Sequence, residues 1–258
     1  LLNHVLTNIA DRIAELWDLG ADIYYSQYPS TAEGSSLDNA AQYGGSTREA
    51  AARSYYPIHC TGRDGTVLEA GTLISAELNP TVQLSLPESR EITRGAFNRA
   101  AVKTASLEAN SVYTAAINGS VFSFTATQAE PLEILSGLAS VITEKGFAVS
   151  VDEEAETLVI EAEDPLSSNT LVLSENLTTE TVTSVITFGT VEIGDILIPE
   201  GVITNIVKAD PGLLEVVNRC GYIAGRDTES DSEFRRSYAD KIFNRSTMML
   251  ESIRSAIL

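Results

Sequence analysis

Near the start of the chain apolar side chains recur at three- and four-residue steps: Leu2, Val5, Leu6, Ile9, Ile13, Leu16 and Trp17, with Asp11, Arg12, Glu15 and Asp18 between them. That period predicts an amphipathic helix, closed at Gly20 as a C-cap. Tyr24, Tyr25, Tyr28 and Pro29 then read as a loop. A second short helix is predicted from Ser35 or Ser36, whose hydroxyl accepts from an orphan amide, to Gly44-Gly45. Leu37–Tyr43 supplies its one apolar stripe.

From about Thr47 the period shortens. Turn signals at Gly62-Arg63-Asp64-Gly65 and Glu69-Ala70-Gly71-Thr72 separate the strand-like runs Thr66–Leu68, Leu73–Ser75 and Thr81–Leu86. A related pattern returns at Gly194–Ile203, and Val67–Thr72 and Leu197–Val202 read as equivalent hairpin corners of one sheet system. Between them, residues 111–188 read as a self-contained insert. Asn118-Gly119 joins two strand runs and suits the positive φ angles of a type I′ turn. Pro131 opens a helix whose buried side is Leu135, Leu138, Val141 and Ile142, stopped by Gly146. Strands follow at Phe147–Val151 and Thr157–Glu161 around the turn Asp152-Glu153-Glu154, then at Leu171–Leu173 and Thr181–Phe188. Near the C-terminus Ser230 and Glu233 stand three apart ahead of Phe234, Tyr238, Ile242 and Phe243, which is capping-box spacing, so a helix starts at that serine.

The predicted class is α+β: N-terminal helices, a β-rich core interrupted by a small β-hairpin, helix and strand module, and a C-terminal helix. The parts are 1–45 (helical), 46–110 with 189–229 (β-rich core), 111–188 (inserted acidic module) and 230–258 (start of a C-terminal helical region). The chain opens without an initiator Met and stops inside a helical pattern at Ile253–Leu258, so it reads as a piece of a longer protein.

Charge narrows the functions. Lys and Arg number 17 against 36 Asp and Glu, a formal net charge of −19, which repels phosphate backbones and anionic lipid headgroups. The insert holds twelve of the acids (Glu130, Glu133, Glu144, Asp152, Glu153, Glu154, Glu156, Glu161, Glu163, Asp164, Glu175 and Glu180) against one base, Lys145, so it carries more than half of the net charge. No apolar run approaches the roughly 20 residues of a membrane span. Nucleic acid and membranes are therefore not expected partners. Cys60 and Cys220 are too far apart in sequence for a redox pair or a zinc knuckle.

Candidate chemistry is sparse. The histidines are His4 and His59, neither beside a nucleophile motif; His59 and Cys60 adjoin, but neighbours on a strand point to opposite faces. Asp227-x-Glu229-x-Asp231-x-Glu233 has alternating carboxylates that could meet on calcium, yet it lacks the glycine and final glutamate of an EF-hand loop, and a solvated helix N-terminus accounts for the same acids. No phosphate-binding glycine motif is present. The expectation is a non-enzyme with no catalytic, metal or cofactor residues. Trp17, Tyr24, Tyr25 and Tyr28 are the candidate interface, since such rings serve as anchors as readily as core.

An ordered series of motifs resembles the baseplate J-like proteins of contractile phage tails and related injection machines. Gly34-Ser35-Ser36-Leu37-Asp38-Asn39-Ala40-Ala41 and Gly45-Ser46-Thr47-Arg48 look like that family's leucine-aspartate helix and G-x-T-R element. Gly65–Thr72 resembles its G-T-x-I-P-A-G-T hairpin, with Glu69 in place of proline, and Pro199-Glu200-Gly201-Val202-Ile203 looks like a second such corner. Pro211-Gly212-Leu213 with Val217-Asn218 resembles its P-G-x-x-x-V-x-N stretch. Gly225, Asp227, Glu229, Ser230, Asp231, Glu233 and Arg235 fall on the closing G-x-D-x-E-S-D-x-x-x-R motif, with Ala224-Gly225 where a doubled glycine is usual and Arg235-Arg236 in place of R-x-R. The resemblance implies a structural wedge component of the virion tail baseplate, present in several copies, assembled in the host bacterial cytoplasm with other wedge, hub and tail proteins. A secreted or surface adhesin-like β-rich binding module is the competing expectation, and a hydrolase using the insert's acids is a third.

Overall fold

The computed structural model describes residues 2–142, 146–208 and 210–257; Glu144 and Lys145 of the acidic module lie outside them, as does Leu258. The elements begin with helices α1 (Leu2–Tyr25) and α2 (Gly34–Tyr43). Strands β1 (Tyr55–Gly62), β2 (Thr66–Leu68), β3 (Leu73–Ala76), β4 (Val82–Ser85), β5 (Arg90–Ile92) and β6 (Arg99–Thr104) follow. Next come β7 (Val112–Ile117), β8 (Ser120–Thr125), α3 (Pro131–Val141), β9 (Phe147–Asp152) and β10 (Thr157–Ala162). β11 (Leu171–Leu173), β12 (Leu177–Thr190), β13 (Ile203–Ile206), β14 (Leu213–Val217) and α4 (Asp231–Ile257) complete the α+β fold.

Two compact units result. Residues 2–51 with 227–257 form one, and 52–226 the other. In the second, nine strands make an antiparallel sheet in the order β13-β3-β4-β12-β6-β10-β9, with β1 pairing both β12 and β14. A three-stranded sheet β11-β7-β8 and the pair β2-β5 complete it. β12 organises the large sheet: its early residues pair with β6, its later ones with β1, and its last two with β4. The core between the layers includes Tyr56, Ile58, Cys60, Phe97, Tyr113, Leu135, Leu158 and Phe188. α3 lies on β8 because Gly137 admits the Phe124 ring; a Cβ there would come within 2.3 Å of it.

Several local expectations hold. Asn118 (φ 50°) and Gly119 (φ 88°) turn β7 into β8 with both angles positive, as a type I′ turn requires. Pro131 sits in the first turn of α3, and β2 and β11 have the bounds that were read from the sequence. Others need correcting. α1 runs through Gly20 to Tyr25, since a glycine inside a helix costs only about 1 kcal/mol relative to alanine and nothing before Tyr25 blocks propagation. Tyr24 and Tyr25 are therefore helical. α2 begins at Gly34, one residue early, and Glu33 at its N-cap supplies no side-chain bond. The buried side of α3 is Ile134, Leu135 and Leu138, with Ile142 just after it, while Val141 is exposed.

The two glycine corners are not hairpins. β2 pairs with β5 and β3 with β4, so Val67–Thr72 carries the chain from one sheet to another. Leu197–Val202 leads into β13, which lies antiparallel to β3, so the two corners feed neighbouring strands. Residues 111–188 are also not self-contained. The hairpin, helix and strands occur in the order read, but β10 bonds to β6 from Leu158↔Val102 to Glu161↔Arg99 and β12 continues to Thr190, so the sheet runs unbroken from one part into the other. An isolated β9-β10 pair would leave the outer backbone groups of β10 unpaired; joining β6 pairs them.

Candidate functional site

Two neighbouring motif stretches and a third that lies 181 to 183 positions after Arg48 meet in the first unit. Ala32, Leu37, Ala41 and Phe234 form a small buried cluster with Tyr238 against it. The Arg48 guanidinium lies over the Phe234 ring, 5.0 Å from its centroid. Arg48 Nε donates to Asp38 Oδ1 (2.7 Å), Nη1 to the Glu229 carbonyl (2.6 Å) and Nη2 to Asp231 Oδ1 (2.6 Å). A planar fork that both stacks and donates in three directions is a task for arginine and not for lysine. Hydrogen bonds to Asp38 and then Asp231 hold the Arg48 pKa above its ordinary value. Asp231 Oδ2 accepts from the Gly34 amide (2.8 Å), so a residue almost 200 positions away supplies the cap that Glu33 does not. That amide and then Arg48 hold the Asp231 pKa below the usual carboxylate value.

The predicted capping box is present. The Ser230 amide donates to Glu233 Oε2 (2.9 Å), and the Glu233 amide donates to Ser230 Oγ (3.4 Å). The Ser230 hydroxyl is the first cause of a lowered Glu233 pKa. Glu229 accepts from the Glu49 amide through Oε2 and from the Ser237 hydroxyl through Oε1. Arg235 donates to the carbonyls of Pro29 and Ala32, and Arg245 to those of Gly44 and Gly45. Thus Glu229, Asp231 and Glu233 each serve their own protein donors instead of facing one point, and Asp227 is exposed. Among the described residues no group of three or more His, Cys, Asp or Glu is placed to hold a metal ion.

The other motif residues act within the second unit. Gly225 is buried where a Cβ would meet the Gly194 carbonyl at 2.1 Å and the Ala52 carbonyl at 2.6 Å. Its amide donates to Ser54 Oγ, which also donates to the Gly194 carbonyl and accepts from the Ile196 amide, all at 3.0 Å. Asn218, fully buried, holds the second glycine corner: its Oδ1 accepts from the Ile203 amide (3.0 Å) and its Nδ2 donates to the Pro199 carbonyl (2.7 Å). Asp210 holds the first corner, accepting from the Thr72 hydroxyl and from the Glu69 amide (3.2 Å). The sequence reading did not single out Ser54, Asp210 or Gly137. Asp210 stands directly before the turn pair Pro211-Gly212, which is the signal that could have found it; Ser54 and Gly137 have none.

His59 and Cys60 point to opposite faces of β1. Cys60 lies in the core, where burial pushes its thiol up to about 12, far from a thiolate at neutral pH. His59 is also buried, and burial first, then Arg219, lowers its pKa. Among the insert's described acids, Asp152 Oδ1 accepts from the Glu154 and Ala155 amides, Glu133 from those of Thr127 and Gln128, and Glu161 pairs with Arg99 and Arg219.

A long apolar row is exposed on α1. Val5, Leu6, Ile9, Ile13, Leu16 and Trp17 on α1 are 47–76% exposed, and Ile23, Tyr24, Tyr25 and Tyr28 continue the exposed row. Tyr24 packs edge-on to Tyr25 at 5.6 Å and tilted against Tyr28 at 5.3 Å, so the three tyrosines form a surface group. Beside it a groove of about 790 Å³ is lined by Tyr28, Pro29, Tyr238, Ile242 and Phe243, among others. No helix among the described residues is long and apolar enough to cross a membrane. No protein-family model matches the chain, and no curated protein matches it.

Proposed function

We propose that this chain is a structural, non-enzymatic component of a contractile tail or injection-machine baseplate, one of several copies held in a wedge by other wedge, hub and tail proteins. The observation that carries the assembly reading is the exposed apolar row of α1. Leu6, Ile9, Ile13 and Leu16 keep the three- and four-residue steps of helix-on-helix packing, Ile23 follows seven residues on, and a row of this length in water is an unfilled interface. The baseplate assignment rests on the motif series. In the structure its residues serve architecture: Arg48 and Asp231 tie α2 to the start of α4, Gly225 allows close backbone contact, and Asn218 braces a corner. Motif residues engaged by their own protein partners in this way support a structural reading over an acid–base one.

The test is capture of the full-length protein from a lysate producing the particle, with bound proteins identified by mass spectrometry. Tail and baseplate proteins are expected, and a variant carrying Leu16→Glu and Trp17→Ser on the exposed row should lose them while keeping its circular dichroism. Glu153→Ala with Glu154→Ala should leave the recovery of partners held through α1 unchanged. Absence of every tail protein from the wild-type capture, or recovery that ignores the α1 substitutions, would overturn the proposal.

A further inference from the structure

β9 ends the nine-stranded sheet and, among the described residues, pairs with β10 alone. The phase of that pairing decides which backbone groups face outward. The Glu163 amide donates to the Gly146 carbonyl (2.8 Å), in register with Thr157↔Asp152 through Ala162↔Phe147. Bonded and non-bonded pairs alternate in an antiparallel ladder, so Ala148, Ser150 and Asp152 exchange bonds with β10. The amides and carbonyls of Phe147, Val149 and Val151 therefore point away from the sheet. Their side chains turn inward against the core, while Ala148, Ser150 and Asp152 face solvent.

This edge lacks the usual protection. β13 and β14 pair through shifts in register, and β11 is three residues long. β9 has six residues, an unbroken register, no proline and no lysine. β8 ends the smaller sheet equally unprotected, but from Asn118 to Ala129 no residue is charged. At β9, exposed carboxylates stand at both ends: Asp152, Glu153 and Glu154 at the turn, and Glu163 opposite Gly146. Antiparallel pairing with a second copy would bring like charges together at each end, which is unfavourable.

We infer that the open edge of β9 is a docking site for an extended basic segment of another protein, which adds an antiparallel strand to the sheet. Its inward residues are apolar and continue the row of Phe147, Val149 and Val151; its outward residues are Lys or Arg, facing the carboxylates at the ends. The inference stands on the sheet edge and not on the α1 row.

The probe is the heptapeptide acetyl-Lys-Val-Lys-Val-Lys-Val-Lys-amide, added to the wild-type chain. Binding should protect the Phe147, Val149 and Val151 amides from hydrogen exchange. In the bonded pairs the valine amides point at β9 and the lysine amides away. N-methylation of the valines should therefore weaken binding by roughly tenfold or more, and N-methylation of the lysines much less. Glu153→Lys with Glu154→Lys should weaken it several-fold. Four results would each overturn the inference: no binding at millimolar peptide, binding without protection of the three amides, equal effects of the two methylations, or equal binding of the Glu-Val counterpart. Protection that rises with protein concentration in the absence of peptide would assign the edge to a second copy and overturn the basic-segment assignment.

Discussion

Replacing Asn218 tests whether the motif residues of the second unit are architectural. The side chain is 1% exposed and satisfies two main-chain groups of one corner, the Ile203 amide and the Pro199 carbonyl. Asn218→Ala leaves both without a partner. Each buried orphan costs about 1–3 kcal/mol, so the second unit should lose about 2–6 kcal/mol, toward the lower end if water enters the space. A unit of this size should then melt about 4–24 °C lower. Urea unfolding followed by circular dichroism of the strands gives the free energy, with an unchanged m value, and the Ile203 amide should exchange far faster in the variant. Asn218→Asp keeps the acceptor for Ile203 but sets a carboxylate oxygen against the Pro199 carbonyl. Burial raises the pKa of that new group in the folded state, so its penalty is absent at acid pH and grows as pH rises through the carboxylate range. A loss below about 0.5 kcal/mol in Asn218→Ala, with slow exchange kept at Ile203, would refute the reasoning.

The Asp231 pKa is depressed in the folded state, so its contribution to the first unit is present above the ordinary carboxylate value and lost as pH falls through the folded one. Arg48→Met should raise that pKa toward normal in an NMR titration. His59 is depressed in the opposite chemical sense: below about pH 6.5 the unfolded chain takes up a proton that the buried ring refuses, so stability falls on acidification. His59→Leu should reduce the drop in Tm between pH 7.5 and 5.5; an unchanged drop would show that other groups cause it. Gly119→Ala adds no clash, since open space surrounds the position, but its φ of 88° should cost about 1 kcal/mol by thermal melting. Millimolar calcium should leave the melting of the first unit unchanged, because the carboxylates of 229, 231 and 233 already hold protein donors.

Short-range chemistry was the legible part of the fold. Asn118-Gly119, Pro131 and the Ser230–Glu233 box act within four residues and form as read. The end of α1 was misplaced because one glycine cannot outweigh continued propagation, and no strong breaker stands before Pro29. The continuity of residues 111–188 with the sheet was hidden because the partners of β10 and β12 lie some 60 to 130 positions earlier, and no pattern within one strand names its neighbour. The same holds for the candidate site. Motif order pointed to Arg48, Asp231 and Arg235, but the bond from Asp231 to the Gly34 amide exists only after folding. Trp17, Tyr24, Tyr25 and Tyr28 stood out because such rings serve as anchors as readily as core, and the structure exposes all four.

The length of β12 has a mechanical consequence. Its 14 residues bond to β6, β1 and β4, so a pull along that strand loads many backbone bonds in shear at once. Peeling β9 from β10 would instead open the ladder one bond at a time. The second unit is therefore stiff in one direction and yielding in another, and a body that relays force between neighbours would transmit it along β12 and give way first at β9.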